Sequence, residues 1–92
     1  MAQMTPEEFV NRLQVVASRT GLSQSDLAVW LGCDRQSLRM WLKGFSKPLR
    51  HSDGNVGLTL MVRLGDLERA DSEQLLRFVL RRQANRSATF DG

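Results

Sequence analysis

The sequence predicts an all-α fold, a compact bundle of about five helices in 92 residues. Three observations carry this. Apolar residues return every three or four positions in successive segments, each segment is preceded by a residue able to cap a helix, and most end at glycine or before proline. With 41% apolar residues and two prolines, the chain is sized for one domain, near the lower limit at which a core is self-sufficient. A single domain over residues 1–84 with a flexible tail at 85–92 is expected.

The first helix starts at Thr5-Pro6-Glu7-Glu8. Thr5 is the N-cap, Pro6 fits the first helical position, where no N–H is needed, and Glu8 completes a capping box. Phe9, Leu13, Val16 and Ala17 carry the apolar face to about Arg19, and Thr20-Gly21 stops it. Ser23 caps a short second helix, Gln24 to Leu31, with Leu27, Ala28 and Leu31 inward and Gly32 at its end. Asp34 caps a third, which runs to Lys43, is closed by Gly44 and cannot resume past Pro48. On a helical wheel, Trp41, Leu42 and Phe45 lie within about 60° of Leu38, which defines a core face. Gln36, Arg39, Met40 and Lys43 fall on the outward side, with Arg35 flanking, and no carboxylate is among them.

The run VGLTLMVRLGDL fits two periods. Val56, Leu58, Leu60 and Val62 alternate as in a strand, whereas Val56, Leu60, Leu64 and Leu67 recur as in a helix. Helix is favoured, and it would be apolar on two sides, which a small domain cannot bury alone. A last helix, capped by Ser72, carries Leu75, Leu76, Phe78, Val79 and Leu80 and ends near Ala84. Residues 54–84 are therefore the expected dimerisation element, with Leu58, Met61, Val62 and Phe78 at a homodimer interface.

Composition narrows the function. One cysteine, Cys33, permits no internal disulfide or multi-cysteine zinc site, and His51 has no ligand-spaced partner, so no metal and no cofactor are expected. Without a glycine-rich phosphate loop or paired carboxylates on one face, an enzyme is not expected. No signal-type start and no membrane-length apolar run is present, which suggests a cytoplasmic protein. The net charge is +3, and its excess lies between residues 23 and 50, where Arg35, Arg39, Lys43, Lys47 and Arg50 face only Asp26 and Asp34. A basic stripe of this kind suits a polyanion but also occurs on ordinary surfaces.

Two short helices joined at a glycine, the second basic on its free side, make a helix-turn-helix at about residues 24–43. At these residues, GLSQSDLAVWLGCDRQSLRMWLKGFSKP resembles the Cro and phage-lambda-repressor family of DNA-binding domains, whose usual run is close to LSQxxLAxxLGVSxxxIxxWExGxxxP. The match is close from Leu22 to Pro48 and only general elsewhere. It implies a lambda-repressor-like fold and a transcriptional regulator, a homodimeric (auto)repressor reading a palindromic operator in double-stranded DNA. It also implies roles: Arg35, Gln36, Arg39 and Met40 at base edges, and Gln24, Lys43, Lys47 and Arg50 at phosphates. Arginine can pair bidentately with guanine and glutamine with adenine, each worth about 1–3 kcal/mol of discrimination, and Met40 suits a thymine methyl. The sequence departs from the family at Leu42, where a glutamate is usual, and at Cys33, where valine is common.

Other readings stand beside this one. An antitoxin-like module would bind a partner protein through the C-terminal helices, and a packaging subunit would keep the motif without reading sequence. Trp41 belongs to the core, while Trp30 suits either the last helix or a subunit contact. Cys33 reads as a buried thiol and His51 as a loop residue. Arg77, Arg81, Arg82 and Arg86 read as a solvated face balanced by Asp71 and Glu73, or as an extension of a DNA footprint.

Overall fold

Four of the five helices begin where a side chain satisfies one of the first free N–H groups, and the fourth in chain order starts after Gly57 without one. In the computed structural model, which describes residues 3–90 and the side chains of residues 3–85, the elements are α1 (Pro6–Thr20), α2 (Gln24–Leu31), α3 (Arg35–Lys43), α4 (Leu58–Arg69) and α5 (Ser72–Phe90). The described residues contain no strand. Thr5 accepts from the Glu8 N–H at 3.1 Å, Ser23 from Asp26 at 3.1 Å, and Asp34 from Ser37 at 3.1 Å. These are three of the four caps expected from the sequence. The segment of two possible periods is extended through Val56, whose N–H donates to the Met4 carbonyl at 2.8 Å, and turns helical only from Leu58.

The last helix corrects two expectations. Its N-cap is Asp71, one residue before Ser72: Asp71 Oδ1 accepts from the Gln74 N–H at 2.8 Å, and Gln74 Oε1 accepts from the Asp71 N–H at 2.9 Å. Both residue types can cap, and the reciprocal glutamine three positions on selects Asp71. The helix also continues past Ala84 to Phe90, so most of the segment expected as a frayed tail has a helical backbone. No glycine or proline interrupts it before that point.

Phe9, Leu13, Val16, Leu27, Leu31, Leu38, Leu64 and Leu67 are all at most 1% exposed and form the centre of one core. α1 packs on α3 and α4, and α2 packs on α3 and α4. The Phe9 ring meets Trp41 edge-on, centroids 5.6 Å apart and planes at 87°, a geometry worth about 0.5–1.5 kcal/mol beyond the area buried. Phe45 departs from its place on the wheel and is 71% exposed. Gly44 adopts the left-handed conformation, and the Phe45 N–H bonds to the Met40 carbonyl at 3.0 Å, so the chain turns away before Phe45 can continue the buried face.

α5 attaches by side chains. Phe78 meets Trp30 edge-on at 4.9 Å, and the Arg82 guanidinium forms an ion pair with the buried Asp26 and also donates to Ser25 Oγ at 3.3 Å. Successive contacts from Phe78 to Arg82 run backwards along α2, so the two helices are antiparallel. Arg82 is thus not part of a solvated face, whereas Arg77 forms an exposed pair with Glu73 at 2.6 Å. Arg86 lies outside the residues whose side chains are described.

Two substitutions probe this architecture. Phe9→Ala should cost about 3–5 kcal/mol by opening a cavity in the core. Gly32→Ala should cost about 1–2 kcal/mol through backbone strain at positive φ, because the nearest atom to an added Cβ, Arg63 Nε, is an uncrowded 3.8 Å away. Urea unfolding followed by circular dichroism measures both.

Candidate nucleic-acid interface

The turn between α2 and α3 sets the geometry of the candidate site. Gly32 has φ 76°, a conformation that costs residues with a Cβ about 1–2 kcal/mol, and its N–H reaches the Val29 carbonyl at 3.3 Å while the Cys33 N–H reaches Ala28 at 3.0 Å. The chain reverses within two residues, and Asp34 starts α3 at once. Ala28 is buried in α2, one turn before Gly32. Arg63 covers the end of α2, donating to the Trp30 carbonyl at 3.2 Å, and the Trp30 indole returns a bond to the Arg63 carbonyl at 3.0 Å. Trp30 therefore packs against both α4 and α5 of its own chain.

α3 has nine residues and would be marginal alone. Leu38 and Trp41 bury its inner face, and Gln14 Nε2 donates to the Leu42 carbonyl at 3.1 Å, tying α1 to the end of α3. Its outer face is open. Arg35, Gln36 and Arg39 are exposed and line one shallow hollow of about 220 Å³, and Met40 beside them is half-buried. Gln24 is exposed on the first turn of α2 and Lys43 on the last turn of α3.

The remaining expected phosphate contacts have a different setting. Glu7 accepts from Arg50 Nη2 at 2.7 Å and 2.8 Å and from Lys47 Nζ at 3.3 Å. Arg50 is further fixed by a 3.0 Å bond to the Gly54 carbonyl. The Glu7 carboxyl is held at about 2, below its usual 4.5, first by its own backbone N–H and then by Arg50. Sequence reading assigned Glu7 only to the start of α1, since nothing local signals a partner 43 residues away.

The expected dimer residues also separate. Leu58 and Val62 are 69% and 47% exposed, beside an open hollow of about 480 Å³ with Thr59, Arg63 and Asp66. Met61 is partly buried against the core, and Phe78 is committed to Trp30 within the chain. Cys33 is half-buried, and that burial, helped by the Asp34 charge, raises its thiol above the ordinary value. No group of three or more potential metal ligands occurs among the described residues. Among the described residues, no helix is long and apolar enough to cross a membrane.

No family model, curated protein or solved structure matches this chain. The functional reading therefore rests on its own residues.

Besides Glu7, Glu68 and Asp34 tie stability to pH. Arg12 donates to both oxygens of Glu68 and, as the largest cause, holds its carboxyl below 4.5, while Asp34 is held below 3.8 chiefly by the hydrogen bond from Ser37. Depressed folded-state values stabilise the fold above the ordinary carboxylate range, and this contribution is lost as protonation proceeds below it. Stability should fall between about pH 5 and pH 2, and Glu68→Gln with Asp34→Asn should flatten that fall in urea titrations run across the range.

Proposed function

We propose that this chain is a sequence-specific regulator of transcription that binds double-stranded DNA through a helix-turn-helix of the lambda-repressor type, with α3 in the major groove. One observation carries the reading. Among the residues whose side chains are described, the lysines and arginines with neither a carboxylate nor a carbonyl partner are Arg35, Arg39, Lys43 and Arg81, and three of these four lie on the nine-residue α3. The chain pairs most of its cations internally and leaves those of one helix free, on a face that carries no carboxylate. Such a face keeps its full attraction for phosphate.

Roles follow from chemistry. Arg35, Gln36 and Arg39 have the donors and acceptors to read base edges, and Met40 offers apolar contact with a thymine methyl. Gln24 and Lys43 are placed at the two ends of the pair of helices to hold phosphates and fix its register. A single α3 reads few base pairs, so useful specificity calls for two copies about one helical turn of DNA apart. We take the exposed Leu58 and Val62 on α4 as the centre of the homodimer contact, and we read the protein as a cytoplasmic repressor that acts by occluding a promoter. No catalysis and no cofactor enter this reading.

A second reading is favoured by one observation. Leu76 and Leu80 are 57% and 53% exposed, one turn apart on α5, and they form an apolar strip apart from α4. In an antitoxin-like module this strip would bind a different protein.

Selection from random duplexes should enrich a palindromic site, and failure to enrich any site at physiological salt overturns the regulator reading. On the enriched site, Gln36→Ala should relax preference at one position, and Lys43→Ala should weaken all sequences alike and lower the salt slope by about one. Light scattering after size exclusion should give twice the 10.4 kDa chain mass, and a stable monomer favours the second reading.

A further inference from the structure

We propose that the Glu7 carboxylate occupies, in the free protein, the position of a DNA backbone phosphate on Lys47 and Arg50, and that duplex binding exchanges one anion for the other. The inference rests on the DNA-binding reading and adds to it a residue that lowers affinity.

The geometry is that of an occupied anion site. Two cations three positions apart in the loop after α3 converge on one carboxylate, with Lys47 Nζ at 3.3 Å and Arg50 Nη2 at 2.7 Å from the same oxygen, Oε2. From Arg50 onward the loop is held in that shape independently of Glu7. The His51 N–H bonds to the Asn55 carbonyl at 2.9 Å, Gly54 bonds back to His51 at 2.9 Å, and Arg50 Nη1 is fixed on the Gly54 carbonyl at 3.0 Å. Beyond it, the bond from Val56 to Met4 brings the loop's end to the start of α1, where Glu7 lies in the first turn. Arg50 is therefore prearranged for an oxyanion, Lys47 turns to the same point, and Glu7 supplies the charge.

The pair is also open to exchange. The side chains of Glu7, Lys47 and Arg50 are 46%, 53% and 49% exposed, so water screens their attraction and displacement is cheap. The low value at which Glu7 titrates keeps it charged at any physiological pH. A phosphate approaching this loop thus meets two cations already neutralised in part, whereas one approaching α3 meets free ones.

The test is duplex affinity against salt concentration for the wild type, Glu7→Gln, Glu7→Asp, and Glu7→Gln combined with Lys47→Ala and Arg50→Ala, on one selected duplex. Exchange predicts that Glu7→Gln binds about three- to ten-fold tighter near 0.1 M salt with a salt slope steeper by up to about one. Glu7→Asp should stay near the wild type, and the triple variant should lose the gain. Thermal unfolding of each free variant checks that the fold persists. Unchanged or weaker binding by a folded Glu7→Gln overturns the exchange and makes Glu7 a brace for the loop, while the DNA-binding reading stands. A wild type that binds no duplex even at low salt overturns both.

Discussion

The structure depends on the burial of one side of α3. A nine-residue helix does not hold itself together in water, so its direction is set by what Leu38 and Trp41 are pressed against. That surface is the ring of Phe9 and the rest of the leucine-rich core, reached from α1 and α2 together. Because the inner face is anchored by large side chains on a turn that allows one direction of exit, the outer face has a fixed outlook. Arg35, Gln36 and Arg39 are exposed by the same geometry that buries Leu38, and none of them contributes to the core.

Electrostatics then divides the surface. Arg12 and Glu68 join α1 to α4, Arg82 and Asp26 join α5 to α2, and Glu7 gathers the loop cations, so pairs distant in sequence act as ties between elements. The largest structural consequence falls to the least exposed pair. With 20% and 9% side-chain exposure, Arg82 and Asp26 have little water to fall back on, and removing one partner would strand the other. The exposed pairs contribute far less to stability and more to where charge remains available.

Much of the local architecture was legible because its chemistry is local. Thr5, Ser23 and Asp34 each bond within three residues, and Gly21, Gly32 and Gly44 each end a helix in the conformation that glycine tolerates best. The same locality marks where reading fails. Asp71 and Ser72 compete for one cap and only the partner Gln74 decides, and Phe45 follows the wheel until the glycine before it turns the chain away. Of the candidate site, the exposed row on α3 could be placed from periodicity and spacing. The fate of Lys47, Arg50 and Arg82 could not, since their partners lie 40, 43 and 56 residues away.

The seat of α5 has a mechanical meaning. This helix is held on α2 at two points, the Trp30 ring and the Asp26 carboxylate, and the second lies in the first turn of α2, two residues from Gln24. Anything that lifted α5 away would leave a buried negative charge without its counterion at the foot of the helix that supports α3. The seat of α5 is in this way tied to the order of the first turn of α2.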